Sequence, residues 1–268
     1  MNAIDKQLQL QPNRRMSYIM TIFILSILFV WSVSTIHFEN VSLNGTKIAK
    51  NILVGLINPD WSLIFNVSTG GIPYLLIETM AIAFLGTIVG ALLAIPLAFL
   101  SASNIMPKPI AFVVRLLLII IRTIPAIVYG LMFIRVTGPG PFAGVLTMSL
   151  TSIGMLSKLY VDVIEDLDKS VLESMEAIGC TLMEKIRFGI WPQLTALFLS
   201  IVIYRFDMNL RDATVLGLVG AGGIGAPLIF AMNAYKWSEV GAILLGLILL
   251  ILVVEFVSNR IRTKLVRG

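Results

Sequence analysis

Charged side chains are scarce in this 268-residue chain: Asp, Glu, Lys and Arg make up 13% of it, about half the share found in soluble globular domains. Cysteine and histidine occur once each, as Cys180 and His37. A single cysteine cannot form an internal disulfide, and one cysteine with one histidine cannot supply the ligands of a structural zinc site. These shortages exclude a disulfide scaffold, a zinc-binding module and an ordinary soluble domain.

Hydrophobic residues, by contrast, make up 57% of the chain and gather in runs near the roughly 20 residues that a helix needs to cross a bilayer. The runs lack the period-2 alternation of an outer-membrane barrel strand. The pattern therefore predicts an all-α, polytopic integral membrane protein with about six transmembrane helices. The predicted spans are Met16–Ile36, Pro73–Leu100, Ile110–Val136, Phe142–Val163, Gln193–Val219 and Val240–Val257.

The first predicted span has a second interpretation. Arg14 and Arg15 precede it, and Ser32-Val-Ser34 offers small residues at a cleavable spacing, as in a signal peptide. Its apolar run is longer than a usual signal core, which favours a retained anchor.

Lysine and arginine are distributed unevenly about these spans. With the amino terminus inside, the cytoplasmic side receives Lys6, Arg14, Arg15, Lys108, Lys169, Lys185, Arg187, Arg260, Arg262, Lys264 and Arg267. The other side clearly receives only Lys47, Lys50 and Lys236. The positive-inside rule then places both termini and the connection Ile164–Trp191 in the cytoplasm.

Composition divides the chain into three parts. Residues 1–72 comprise a cytoplasmic tail, the first transmembrane helix and an external loop, with an interfacial helix predicted near Ile48–Ile57. Residues 73–260 form the main transmembrane domain, which includes a cytoplasmic helical hairpin over 165–191, and residues 261–268 are a second cytoplasmic tail.

The hairpin is predicted from its caps. Two pairs match the capping-box pattern and should each begin a short helix: Ser170 with Glu173, and Thr181 with Glu184. Gly179 falls where the first helix must end, because a left-handed residue favours glycine, and Pro192 opens the next span. An apolar edge available to a partner protein is formed by Val171, Leu172, Met175 and Ile178. A solvated linker folded onto the spans is the alternative.

The spacing of this segment resembles a known coupling element. Glu173, Gly179 and Pro192 stand six and thirteen positions apart, as in the EAA loop of ABC importer permeases, which docks into a groove of the ATPase subunit. Gly189 and Trp191 depart from the residues usual at their positions. The resemblance implies that the 168–190 loop couples to the ATPase through Glu173, Glu176, Ala177, Gly179, Thr181 and Glu184.

Three further stretches narrow the resemblance to phosphonate importer permeases: Leu93–Asn104, Arg122–Pro125 with Gly138–Val145, and Asn209–Gly225. Together with the hairpin they cover about Pro73 to Val257. Two residues depart from the family pattern, since Ala126 stands where an acidic residue is expected and Asp207 where glutamate is expected. The resemblance implies a type I ABC importer permease fold and a pathway for a small anion, a phosphonate or else phosphate or phosphite.

The resemblance also implies partners. A second copy of the permease completes the pathway across the bacterial cytoplasmic membrane, two ABC ATPase subunits bind ATP and Mg, and an extracytoplasmic binding protein delivers the substrate. The chain itself has no G-x-x-x-x-G-K-[ST] phosphate loop, so we expect a transport subunit without a cofactor or enzymatic activity. Its basic residues serve membrane topology, and no nucleic-acid partner is expected.

The segment Gly220–Gly225 satisfies G-x-G-x-x-G, yet it ends a membrane span and lacks the βαβ context of a dinucleotide site. Two interpretations remain, a close-packing or hinge loop and a backbone-amide lining for a passing anion. The gate or hinge candidates are Pro96, Pro125, Gly220, Gly222, Gly223 and Gly225.

Charges inside the spans are costly and usually face a polar interior, a partner or a pathway. The pathway candidates are Arg122, Arg205, Asp207, Asn209, Arg211 and Asp212. Either these charges pair internally and fix helix packing, or an arginine offers positive potential to an oxyanion. Arg115 lies on the same face as Arg122, and Glu78 is a candidate partner for one arginine.

Two alternatives remain open. The first, within the same class, is that the chain is a methionine-type ABC permease. An ion-coupled secondary transporter would instead use the intramembrane carboxylates Glu78, Asp207 and Asp212.

Overall fold

The computed structural model describes residues 15–35 and 45–267, so the predictions that involve Lys6, Arg14, Ile36 and His37 concern residues outside the described ranges. Within these ranges every regular element is helical. The helices are α1 Arg15–Thr35, α2 Gly45–Ile57, α3 Trp61–Phe65, α4 Ile72–Ser101, α5 Lys108–Thr123, α6 Ala126–Thr137, α7 Pro141–Glu165, α8 Lys169–Ala177, α9 Leu182–Glu184, α10 Trp191–Leu218, α11 Gly225–Asn233 and α12 Trp237–Arg267, with a π-helix over Lys185–Ile190.

Among the described residues, five helical segments are long and apolar enough to cross a membrane, and the pair α5–α6 gives a sixth if it forms one span. The five segments are Arg15–Thr35, Ile72–Ser101, Pro141–Glu165, Leu182–Leu218 and Trp237–Leu265. The predicted all-α class with about six transmembrane helices is therefore confirmed. The chain divides into two compact units near residue 49, and helices α3 to α12 belong to the larger one.

The third predicted span, Ile110–Val136, in which Pro125 is a hinge candidate, is sharply bent. It breaks into α5 and α6, which meet at 84°. Pro125 stands at the break, where it has no N–H to continue the helix, and it holds Ile124 in an extended conformation with ψ 124°. Pro96, by contrast, lies inside the continuous helix α4.

Small residues bring α4 and α7 into close contact. A Cβ on Gly90 would lie 2.5 Å from Cβ of Ser152, and one on Gly86 would meet Cβ of Met148. Ser157 donates a hydrogen bond to the carbonyl of Ala94 across the same interface, at 3.3 Å. This is the packing that membrane helices use where backbones approach closely. It makes the α4–α7 pair the centre against which α10 packs.

Candidate functional site

The hairpin is defined here as Asp168–Ile190. Its first helix is capped by Asp168, two residues before the predicted cap Ser170. Oδ1 of Asp168 accepts a hydrogen bond from the amide of Ser170 at 2.9 Å, which is the usual work of an N-cap carboxylate. The helix therefore starts at Lys169, and the predicted capping box of Ser170 with Glu173 was wrong because Ser170 already lies in the first turn. The hydrogen bond from the backbone amide of Ser170 lowers the pKa of Asp168 from its ordinary value.

The first hairpin helix ends at Gly179 as predicted. Gly179 has φ +82°, its amide donates to the carbonyl of Glu176 at 2.9 Å, and the Cys180 amide donates to that of Met175 at 3.0 Å. These two bonds form a Schellman motif, in which a left-handed residue satisfies the last carbonyls of a helix. Ala177 is the last residue of α8.

The second predicted capping box is present. Oε2 of Glu184 accepts from both the amide and the hydroxyl of Thr181, each at 2.7 Å. The helix that starts there is not a separate short one, as the sequence predicted, but runs through the π-helix into α10. Pro192 lacks the N–H that would bond the carbonyl four residues earlier, and the backbone widens just before it.

The apolar edge of α8 faces the chain's own π-helix. Sδ of Met175 occupies the space that a Cβ on Gly189 would need, and Val171 packs beside it. Nζ of Lys185 binds Oε2 of Glu176 at 3.1 Å and closes the hairpin from the other side. The edge predicted for a partner is thus largely used internally; the side chain of Leu172 lies outside the described residues. The exposed apolar residues of the hairpin are Ile178, Leu182, Met183 and Phe188.

Two of the predicted pathway residues lie enclosed between helices. Arg205 is 5% exposed and donates to the side chains of Ser152 and Thr151, at 3.1 and 3.2 Å. Asn209, fully buried, donates to Ser152 and Thr87 at 2.8 Å each. These bonds tie α10 to α4 and α7 in the interior of the chain.

A second cluster lies on the surface of the same helix. Arg211 binds Oδ2 of Asp207 one turn away at 3.0 Å and Oε2 of Glu255 on α12 at 3.1 Å. Asp212 is half-buried and interacts electrostatically with Arg205 and Arg211. Glu255 was not among the predicted pathway residues, although it is the one charged residue in the apolar run from Val240 to Ser258.

The glycine segment Gly220–Gly225 packs against three helices. Gly222 has φ +83°, and a Cβ on it would lie 2.7 Å from the backbone of Pro141. The amide of Gly223 donates to Oε1 of Glu78 at 3.1 Å, and that of Ile224 donates to Oγ1 of Thr79 at 2.9 Å. Gly225 is the first residue of α11. Glu78 was expected to meet an arginine; instead it satisfies this loop, and two loop amides are already occupied.

Arg122 lies in a cleft between α5 and α7 with a volume of about 260 Å³. Its charged and apolar lining comprises Arg115, Arg122, Lys158, Asp162, Glu165, Leu118, Ile119 and Val161. Arg115 pairs with Glu165, and Lys158 pairs with Asp162. Three further charged residues were not among the predicted site residues, although a spacing of four and then three places them on one helix face: Lys158, Asp162 and Glu165.

Within residues 15–35 and 45–267, no group of three or more His, Cys, Asp or Glu side chains is arranged to hold a metal ion. The functional elements are instead a helical hairpin, a glycine loop at the opposite ends of the spans and charged residues along them. Long apolar helices with such an arrangement define a polytopic membrane protein of the transport class.

The chain belongs to the family of binding-protein-dependent transport system inner membrane components, whose family model matches residues 94–268. A phosphite transport system permease protein, PtxC of Stutzerimonas stutzeri, is 36% identical over 188 residues, which are 70% of this chain and 68% of that protein. A putative phosphite transport system permease protein of the same organism, HtxC, is 30% identical and covers 93% of this chain and 87% of its own.

An inward-facing structure of the MetNI methionine ABC transporter has the same fold. It matches with a TM-score of 0.64 and 19% identity, over 72% of this chain and 96% of that one. The family is a membrane component of transport systems, which assigns this chain to transport across a membrane and not to catalysis.

Proposed function

We propose that the chain is the permease subunit of an ABC importer for a small phosphorus oxyanion, that is, a phosphonate, phosphite or phosphate. The observation that carries this proposal is the similarity to two permeases named for phosphite, at 36% and 30% identity. The methionine transporter is only 19% identical and shares the fold alone. A phosphorus oxyanion is therefore favoured over methionine as the substrate.

The hairpin is the proposed contact with the ATPase. Glu173, Glu176 and Ile178 are exposed on it, and the turn between its two helical arms is fixed by Gly179 and the Thr181 cap. A rigid, exposed element suits the transfer of motion between subunits. Two ATPase subunits would bind ATP and Mg and move the hairpin as they close on the nucleotide.

The remaining partners follow from the same assignment. A second copy of the chain would complete the pathway, and a binding protein outside the bacterial cytoplasmic membrane would supply the anion. The uneven lysine and arginine distribution favours cytoplasmic termini and a cytoplasmic hairpin. The glycine loop then faces the external side.

Among the pathway candidates, Arg122 and Arg211 are exposed whereas Arg205 and Asn209 are buried. An anion that passes along the chain can meet the first pair without rearrangement of the core. We therefore assign the anion contact to Arg122 and a structural role to Arg205 and Asn209. Arg211 is exposed too, but Asp207 and Glu255 already bind it.

Secondary transport driven by an ion gradient has less support. That mechanism needs carboxylates free to gain and lose protons, but Glu78 accepts a loop amide and Asp207 binds Arg211. Uptake that survives ATP depletion and collapses with the proton gradient would favour it.

Charge reversal on the hairpin tests the proposal. In cells that express the chain with its neighbouring ATPase and receptor subunits, Glu173→Arg should reduce the co-purified ATPase at least about tenfold, equivalent to about 1.4 kcal/mol of binding, and should abolish uptake of labelled phosphite. Glu239→Arg is the matched control and should change neither, because Glu239 is a partly exposed glutamate that pairs with Lys236 and lies far from the hairpin in sequence. Unchanged co-purification and uptake in the Glu173→Arg variant would contradict the proposal.

A further inference from the structure

The cleft between α5 and α7 carries one cation more than it neutralises. Of its three basic side chains, Arg115 is bound to Glu165 and Lys158 to Asp162. Arg122 has no hydrogen-bonding or ion-pair partner among the described residues. The cleft therefore offers one free guanidinium next to two paired cations.

The stem of Arg122 is held in place although its head is free. A Cβ on Gly154 of α7 would lie 2.6 Å from Cγ of Arg122, so the glycine lets the arginine stem lie directly on the neighbouring helix. The guanidinium is thereby presented at a fixed position. A guanidinium presents two parallel donors that match the oxygens of a phosphorus oxyanion.

Arg122 stands near the middle of the broken span. It lies about 20 Å along the helix from Lys108 at 1.5 Å per residue, in the last turn of α5 beside the break. An exposed charge at that depth is costly in hydrocarbon and faces water or a polar group instead.

The other walls of the cleft are apolar. Leu118, Ile119 and Val161 line it beside the basic residues. Sulfate and phosphate gain nothing from an apolar wall, because every substituent on their central atom is an oxygen. A phosphonate carries a carbon substituent opposite its oxygens, and this substituent gains from an apolar surface.

We propose that this cleft is a passage site for alkylphosphonates, in which Arg122 holds the oxyanion and Leu118, Ile119 and Val161 contact the alkyl group; the inference rests on the proposed function. Lys158 is the second donor. Its pair with Asp162 lies one turn apart on an exposed helix face, and such pairs are weak enough for an incoming dianion to exchange.

The test uses a probe cysteine in the cleft. In a Cys180→Ser background, which removes the single natural cysteine, Ile119→Cys is introduced and the full-length chain is placed in phosphatidylcholine vesicles. The rates of labelling by an anionic sulfonatoethyl and a cationic trimethylammonioethyl thiosulfonate are then compared. The anionic reagent should react faster, and Arg122→Gln should lower the anionic-to-cationic rate ratio at least about tenfold, because a unit charge a few ångströms away is removed.

Two variants complete the comparison. Arg122→Lys keeps the charge and should retain most of the preference, which separates loss of charge from misfolding. Arg135→Gln makes the same substitution on α6, where an exposed arginine lies outside the cleft, and should leave the ratio unchanged. A ratio that survives Arg122→Gln overturns the proposal.

Protection identifies the ligand. Methylphosphonate should slow labelling more than sulfate at equal ionic strength. Protection that requires phosphatidylglycerol in the vesicles would identify the cleft as a lipid headgroup site and overturn the proposal, as would equal protection by sulfate.

Uptake separates this inference from the function on which it rests. Methylphosphonate uptake by the complete transporter is measured in the same variants. Normal uptake in Arg122→Gln cells overturns the cleft assignment and leaves the importer function standing. Labelling and protection as expected, with no uptake of any phosphorus oxyanion by the unaltered transporter, overturns the importer function alone.

Discussion

Arg205 is a full positive charge inside the helix bundle, hydrogen-bonded to neutral groups and in electrostatic interaction with Asp212. Its donors reach two hydroxyls and the thioether of Met155, and Ser152 also accepts from Asn209. Replacing water around a guanidinium requires several oriented acceptors. One serine thus joins two side chains of α10 to α7.

The first prediction concerns this network. Asn209→Ala removes the hydrogen bonds to Thr87 and Ser152 and leaves a cavity, so we expect a loss of about 1–3 kcal/mol in stability, since hydrogen bonds between membrane helices average about 0.6 kcal/mol and the cavity adds to them. Thermal unfolding of the purified protein in detergent measures the change. Asn259→Ala, at an exposed asparagine, is the control and should leave the unfolding temperature unchanged.

Sequence patterns located these residues but not their surroundings. Internal pairing was one of the two open interpretations of the span charges, and Asp207 and Arg211 form such a pair. The spacing of the charges gave no indication that Arg205 would be enclosed or that Glu78 would accept a loop amide. Which side of a helix is covered depends on its neighbours, and tertiary contacts between α4, α7 and α10 are not encoded in the periodicity of one helix.

At the scale of the helix, the residue at which the first hairpin helix ends was predicted better than the residue at which it begins. Glycine at a left-handed position has few alternatives, so Gly179 marked its helix end correctly. Ser170 and Asp168 both fit an N-cap, and the structure uses Asp168. Pro125 was a hinge candidate in the third span, but a proline in an apolar run is compatible with a kink or a break, and the pattern alone does not give the size of the bend.

The second prediction concerns the start of the hairpin. Asp168→Ala removes the cap of α8 and should accelerate hydrogen exchange of the α8 amides at pH 7, whereas Asp168→Asn, an equally good cap, should not. The pKa of Asp168 is lowered in the folded chain, so its carboxylate stabilises the helix above the unfolded-state pKa and this stabilisation is lost as the pH falls through the lowered value.

Lowering the pH should therefore reduce the protection of the α8 amides in the unaltered chain but not in the two Asp168 variants. As the pH falls through that window, protection in the unaltered chain should approach that of Asp168→Ala, while Asp168→Asn stays constant. Equal pH dependence in the unaltered and asparagine forms would show that another group sets the stability of α8.

On the scale of the whole molecule, the two ends of the spans differ in how they are joined. At the hairpin end a turn stands clear of other atoms, since nothing lies within 4 Å of a Cβ placed on Gly179. At the opposite end the glycine loop touches α4, α7 and α10, where Thr79, Pro141 and Gly217 leave no free space around it. One end is therefore exposed and the other is closely packed.

The third prediction compares two glycines with nearly equal backbone angles. Gly179→Ala carries only the free-energy cost of placing alanine in a left-handed conformation. Gly222→Ala carries the same cost and adds a collision with the backbone of Pro141. We expect about 1–2 kcal/mol for the first and about 2–5 kcal/mol in total for the second. Thermal unfolding and ATP-dependent uptake should separate them: Gly222→Ala mainly lowers stability, and Gly179→Ala mainly lowers uptake. The opposite ranking in the unfolding measurement would be inconsistent with the packing described.

The closely packed glycine loop also gives α7 a fixed end about which the helix can tilt. Helix α7 begins at Pro141, against the glycine loop, and is about 37 Å long at 1.5 Å per residue. Its other end adjoins the hairpin and is held by Arg115 and by the segment after α4, so that the two helices would tilt together. We expect a tilt of about 10° around the loop to displace that end by about 6 Å, enough to open a gap between neighbouring helices for a small anion. A small displacement of the hairpin would then open a wide gap at the adjoining end of α7. The end of α7 at the glycine loop would hardly move.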